Sequence, residues 1–191
     1  MGSLHNFHTR SLPISVLQTL YPTDIFIETG CYRGESIKTA LTLNFKNIYS
    51  CDILSEHVAY CKRLFDNQPQ VHVYHLDSVS FLQKVLPGLE DVTSLFFWLD
   101  AHLPFGMKDT FDSIDFPLEG ELQCILEHRP KGQDVILIDD FFIYRPDVRY
   151  EKRSHLEVRW NELNDTFIRE TPYKHSWWFQ DNGYMLLTPT S

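Results

Sequence analysis

The sequence has no surplus of positive charge, no paired-cysteine motif, no long apolar run, no internal repeat and no Gly/Ser linker. Lys and Arg number 17 against 26 Asp and Glu, giving a formal net charge of -9. A surface of that sign repels phosphate backbones and anionic bilayers, so neither nucleic acid nor membrane is expected as partner. The four cysteines, Cys31, Cys51, Cys61 and Cys124, form no C-x-x-C pair. They read as buried free thiols in a reducing compartment, which with the lack of an apolar leader in residues 1–10 gives a cytoplasmic expectation. No stretch reaches the length needed to span a bilayer.

What remains is a chain rich enough in apolar residues to build a core. Hydrophobic residues make up 43% of 191, which suits one globular domain rather than a disordered chain. Residues 1–20 read as an N-terminal extension. Beyond them, strand-like and helix-like stretches alternate. Strands are expected at 24–28, 47–53, 71–76, 94–99 and 135–138, and a strand pair flanks Asp181-Asn182-Gly183. Helices are expected from Glu35 to Leu43, after Ser55 as cap, from Phe81 to Leu86, from Pro117, and along Leu156, Trp160, Leu163 and Phe167. The second of these has Val58, Cys61, Leu64 and Phe65 as its apolar stripe. The runs SLFFWL and VILI are apolar throughout, as strands covered on both faces are. The expected fold is α/β: a doubly wound, mostly parallel, seven-stranded Rossmann-like sheet ending in an antiparallel hairpin. Ligands of such sheets bind beyond the carboxyl ends of the strands.

Those ends carry acids: Glu28, Asp52, Asp77, Asp100 and the pair Asp139-Asp140. A single one is easily a helix cap, but five on one rim point to a site. The first loop is E-x-G-x-x-x-G, with Glu28, Gly30 and Gly34. A pyrophosphate beside Glu28 would be repelled, which places a nicotinamide dehydrogenase last; a cation would be attracted. S-adenosylmethionine (SAM) carries an ammonium and a sulfonium and no phosphate. Asp52 lies 22 positions after Gly30, where an acid that binds ribose hydroxyls is expected.

The segments IETGCYRGES, YSCD, HLDS, LFFWLDAH and VILIDDF, in that order, resemble the class I SAM-dependent methyltransferases over nearly the whole chain. The commoner pattern of that family, E/D-x-G-x-G-x-G, has its middle glycine where Tyr32 stands. The loop E-x-G-x-x-x-G-x-S resembles instead the branch of macrocin-type O-methyltransferases and cephalosporin hydroxylase-like proteins. The resemblance implies that Glu28, Gly30 and Gly34 hold the methionine part, Asp52 the ribose, and Asp77 with Ser78 the adenine edge. Ser36 and Ile53 join the cofactor-binding set.

Asp100, His102, Asp139 and Asp140 form a second constellation. Carboxylates sharing a crevice repel unless protonated or bridged by a cation, and oxygen ligands suit Mg²⁺, Ca²⁺ or Mn²⁺. In the resembling branch, acids at these positions bind a divalent metal; Asp100, Asp139 and Asp140 are its expected ligands here. His102 is either a further ligand or a general base, and with Asp100 it is expected to act on the acceptor. In the plain structural alternative, Asp100 and Asp139 are helix caps. The other eight histidines are read as surface or core residues. Residues 103–116 and 141–153 are candidate substrate or lid loops. The expected function is a methyltransferase, O-directed on a small-molecule acceptor and metal-assisted. Two alternatives stand beside it: a metal-dependent hydroxylase or hydrolase using Asp100, His102, Asp139 and Asp140, and a non-catalytic module binding SAM or S-adenosylhomocysteine (SAH). Oligomeric state is left open.

Overall fold

A computed structural model describes residues 14–101, 117–140, 173–178 and 184–190. The elements run α1 (Ile14–Leu20), β1 (Ile25–Thr29), α2 (Glu35–Thr42), β2 (Asn47–Asp52), α3 (Ser55–Leu64), β3 (Val71–His75) and α4 (Ser78–Val85). A 3₁₀ turn (Leu86–Gly88), β4 (Phe96–Leu99), α5 (Leu118–His128), β5 (Val135–Ile138), β6 (Tyr173–Trp178) and β7 (Tyr184–Pro189) follow. The expected helix along Leu156 to Phe167 and the turn at Asp181-Asn182-Gly183 lie outside the described residues.

The seven strands form one sheet in the order β3-β2-β1-β4-β5-β7-β6. The first five are parallel, and β7 runs antiparallel to both β5 and β6. Alternate strand residues feed two cores. Ile25, Ile27, Phe97, Leu99, Ile136 and Ile138 meet α4 and α5 on one face. Phe26, Ile48, Phe96, Trp98, Val135 and Leu137 meet α1, α2 and α3 on the other. Every residue of β4 and β5 is buried, which explains why SLFFWL and VILI show no polar alternation.

Several local expectations are corrected. Ser55 does not cap α3: Leu54 holds the N-cap position without a side-chain bond, and Asp52 Oδ1 takes the Leu54 N–H at 2.8 Å. Leu64, placed in the buried stripe of α3, is 41% exposed, while Val58, Cys61 and Phe65 are buried. The helix expected from Phe81 starts at Ser78, because Asp77 is an effective cap and accepts from the Ser80 N–H. Within the expected N-terminal extension, residues 14–20 form a helix that buries Leu17 in the second core.

Candidate functional site

The parallel register brings the carboxyl ends of β1, β2, β4 and β5 level. Thr29 pairs with Cys51 and Leu99, and Leu99 with Ile138. Asp52, Asp100 and Asp139 therefore leave their strands along one edge. Asp77 follows two residues beyond β3.

Glu28 lies inside β1 rather than at its tip, and is fully buried on the face of α2 and α3. It accepts hydrogen bonds from the hydroxyls of Ser36 on α2 and Ser50 on β2. Burial is the main cause that pushes its carboxyl well above the usual range; the Ser50 bond opposes this, and nearby Asp100 adds to it. Glu28 thus braces the underside of the glycine loop. Ser36 is bound to the same carboxyl and is 7% exposed.

The loop turns in the left-handed region three times, at Gly30 (φ 90°), Tyr32 (φ 40°) and Gly34 (φ 76°). The backbone therefore keeps the left-handed step where the commoner family pattern has its middle glycine, although Tyr32 fills the position. Only glycine fits at the flanking sites. A Cβ on Gly30 would stand 2.6 Å from the Asp100 carbonyl oxygen, and one on Gly34 2.6 Å from Phe65 Cε2.

Asp52 is the organising acid of this edge. Its Oδ2 accepts the Tyr32 N–H at 3.0 Å, lies 3.0 Å from His57 Nδ1, and receives the Cys31 thiol at 3.9 Å. The Tyr32 ring packs edge-on against the His57 imidazole, with centroids 4.9 Å apart. The Arg33 guanidinium lies 5.5 Å from the Tyr32 ring centroid. Beside Asp52, Ile53 is 38% exposed and gives the edge an apolar surface.

Asp77 combines the roles of edge acid and α4 cap. Burial raises its carboxyl, but the bonds from Ser80 prevail and hold it below the ordinary carboxylate range. Ser78, the first residue of α4, is buried. Asp100 is tied to β1 through its N–H, which meets the Thr29 carbonyl at 3.1 Å and the Thr29 hydroxyl at 3.3 Å.

Asp139 and Asp140 are both buried. Asp139 Oδ1 accepts the Asp140 N–H at 2.7 Å, and Asp140 is turned by a positive φ of 47°. Among the described residues, no group of three or more His, Cys, Asp or Glu is arranged to hold a metal ion. Of the expected ligands, Asp139 accepts its neighbour's backbone N–H and Asp140 takes a left-handed turn. His102 and both candidate loops, 103–116 and 141–153, lie outside the described residues. No helix among those residues is long and apolar enough to cross a membrane.

Three contributors escaped the sequence reading. His57 was grouped with the structural histidines, yet it sits on Asp52. Its spacing five residues after that acid, across the first turn of α3, was the available signal. Ser50 was taken only as a strand residue, although in β2 it lies directly opposite Glu28. Glu121 stands with Glu119 in the first turn of α5. Glu119 is exposed, whereas Glu121 is 1% exposed and its charge helps to raise the Cys51 thiol after burial and despite the Gly30 bond.

No family model matches the sequence, and no curated protein matches it. Solved structures do match in fold. A candidate caffeoyl-CoA O-methyltransferase from Staphylococcus aureus superposes with a TM-score of 0.65 at 13% identity, covering 99% of this chain and 93% of that one. The SAH-bound methyltransferase PaMTH1 of Podospora anserina gives 0.62 at 14% identity, with 97% and 82% covered. The methyltransferase domain of bacterial CtHen1-C gives 0.57 at 12% identity, with 99% and 100% covered. The chain has the fold of the class I SAM-dependent methyltransferases.

Proposed function

We propose that the chain is a SAM-dependent methyltransferase, O-directed and acting on a small-molecule acceptor. The observation that carries this reading is the alignment of the left-handed Gly30–Gly34 loop, Asp52 and the Asp77-Ser78 cap along one edge of the sheet. The donor set fits the cofactor. A carboxylate-rich edge favours a ligand bearing ammonium and sulfonium charges over one bearing phosphates. In this reading Asp52 takes the ribose hydroxyls, with His57 and the Tyr32 N–H holding its carboxylate in place. Asp77 and Ser78 face the adenine edge, and Ile53 supplies apolar surface beside it. The loop from Gly30 to Gly34 receives the methionine part, with Glu28 and Ser36 bracing it from below. When bound, the cofactor supplies the methyl group for an in-line displacement, in which positioning provides much of the rate. Asp100 and His102 orient the acceptor hydroxyl and take its proton.

No step of this scheme is routed through a metal; Asp100, Asp139 and Asp140 are the residues that would hold one. The hydroxylase or hydrolase alternative rests on Asp100, His102, Asp139 and Asp140, and no observation among the described residues favours it. The net charge of -9 supports a small acceptor over a nucleic acid.

Calorimetry with SAH, NAD⁺ and Mg²⁺, followed by transfer of a labelled methyl group to a panel of phenols and sugars, tests the proposal. Binding of SAH but not NAD⁺, with label appearing in an acceptor, is the expected result. Absence of SAH binding refutes the reading. SAH binding without transfer to any acceptor leaves the non-catalytic module.

A further inference from the structure

Asp52 reaches the rim of the proposed cofactor site with most of its acceptor capacity already used. A carboxylate offers about four acceptor directions, two on each oxygen. Both directions of Oδ2 are occupied: the Tyr32 N–H donates to it at 3.0 Å, and His57 Nδ1 lies 3.0 Å away. The Cys31 thiol crowds the same oxygen at 3.9 Å. Oδ1 accepts the Leu54 N–H at 2.8 Å and keeps one direction open. Because Oδ2 can only accept, His57 carries a proton on Nδ1 and is the donor of this pair.

The imidazole is held in place. The Tyr32 ring packs edge-on against it, at 83° and 4.9 Å between centroids, and the Arg33 guanidinium lies 5.5 Å from the Tyr32 ring centroid. Its Nε2 is 4.0 Å from Glu56 Oε1. The side chains of His57 and Asp52 are 18% and 10% exposed. A ligand hydroxyl would have to break a charge-assisted bond and a ring contact to gain Oδ2.

We propose that His57 is a specificity-determining residue: by filling the second direction of Asp52 Oδ2, it leaves this acid able to read one hydroxyl of a ribose rather than both. The claim rests on the cofactor reading above and narrows the part given there to Asp52. A ribose diol brings two donors to an acid with one open acceptor direction. The hydroxyl that reaches Oδ1 gains a charged partner, while the other stays with solvent. The site therefore takes adenosyl ligands lacking that other hydroxyl almost as well as those that carry both. Tyr32 serves the same end, since its N–H reaches Oδ2 from a left-handed φ of 40°.

Calorimetry on the full chain with SAH and its two monodeoxy analogues, each lacking one ribose hydroxyl, tests this. One analogue should bind about tenfold or more weakly than SAH, and the other within about threefold of it. A loss of about tenfold or more with both analogues overturns the proposal, and so does a loss with neither. His57→Ala opens the second direction of Oδ2, so in that variant the tolerated analogue should fall about fivefold or more below SAH. His57→Asn returns a donor near the Nδ1 position and should restore the wild-type pattern. A residue of purely structural importance would shift all the ligands together. An unchanged ratio of SAH to tolerated analogue in His57→Ala therefore refutes the role of His57. If that variant does not fold, the wild-type comparison decides alone. Failure of SAH itself to bind removes the cofactor reading and this proposal with it. Binding of SAH with both analogues weakened removes the proposal only.

Discussion

Asp52 and His57 meet at 3.0 Å, carboxylate Oδ2 to imidazole Nδ1, across the first turn of α3. The same carboxylate holds the backbone of the glycine loop through Tyr32 and the start of α3 through Leu54. One side chain thus ties together the three segments that border the proposed ribose position. Its loss has two separable effects.

Asp52→Ala is expected to lower stability by about 1–3 kcal/mol, since it strips the shared acceptor from the Tyr32 and Leu54 N–H groups and from His57. It is also expected to weaken SAH binding by tenfold or more. Asp52→Asn keeps an acceptor oxygen, so it should recover much of the stability without restoring the affinity. Chemical denaturation and calorimetry on both variants separate the two effects. Unchanged SAH affinity in Asp52→Ala removes the ribose role.

Gly34 tests the loop by sterics alone. Its φ of 76° and the 2.6 Å approach of a Cβ to Phe65 Cε2 make Gly34→Ala destabilising by about 2 kcal/mol or more. Gly88 meets nothing within 4 Å, so Gly88→Ala should stay within about 0.5 kcal/mol of wild type. Combining Gly34→Ala with Phe65→Leu should relieve part of the clash and give a favourable coupling in a double-mutant cycle. Additive effects would mean that backbone strain alone sets the cost.

At the opposite edge of the sheet, Arg129 is a clamp. Its guanidinium takes both oxygens of the fully buried Asp134, at 2.8 and 3.0 Å, and the carbonyls of Leu89, Glu90 and Thr93. Asp134 in turn accepts the Leu95 N–H before β4. Arg129→Met leaves a buried carboxylate and three carbonyls without their donor, and should cost about 3–5 kcal/mol. Arg129→Lys should recover little, because one ammonium cannot reproduce the fork. Urea denaturation measures both; a loss below about 1 kcal/mol in Arg129→Met would contradict the clamp.

The sequence made the sheet legible because burial on both faces left β4 and β5 without polar residues, and because the antiparallel pair β6 and β7 flanks Asp181-Asn182-Gly183. The rim was legible for a related reason: an acid directly after an apolar strand has nowhere to go but the strand's end. Side-chain pairing was not legible. Ser50 meets Glu28 only through the register of β1 and β2, and Cys61 reaches the Tyr32 carbonyl only through the packing of α3 beneath the loop. The left-handed turn at Asp140 was not legible either, since no residue type announces it. Asp77 was read as a cofactor acid, yet its spacing to Ser80 also makes it a helix cap, and one residue serves both patterns.

Glu28 sets a pH dependence whose sign follows from its burial. Its ordinary value is 4.5, and in the folded protein it lies well above that, mainly through desolvation. Between those two values the folded state holds a proton that the unfolded chain has released. Stability from this group is therefore fully present below the unfolded value and is lost as pH rises through the folded one. Above the folded value the loss is complete and the curve is flat. Glu28→Gln is neutral at every pH and its amide still bonds the hydroxyls of Ser36 and Ser50. The variant should match wild type most closely near pH 4 and gain on it steadily as the pH is raised. Thermal unfolding of both proteins across that range gives the difference directly. A difference that is independent of pH would mean that Glu28 ionises alike in the folded and unfolded chains, and that its burial beneath the loop has no electrostatic cost.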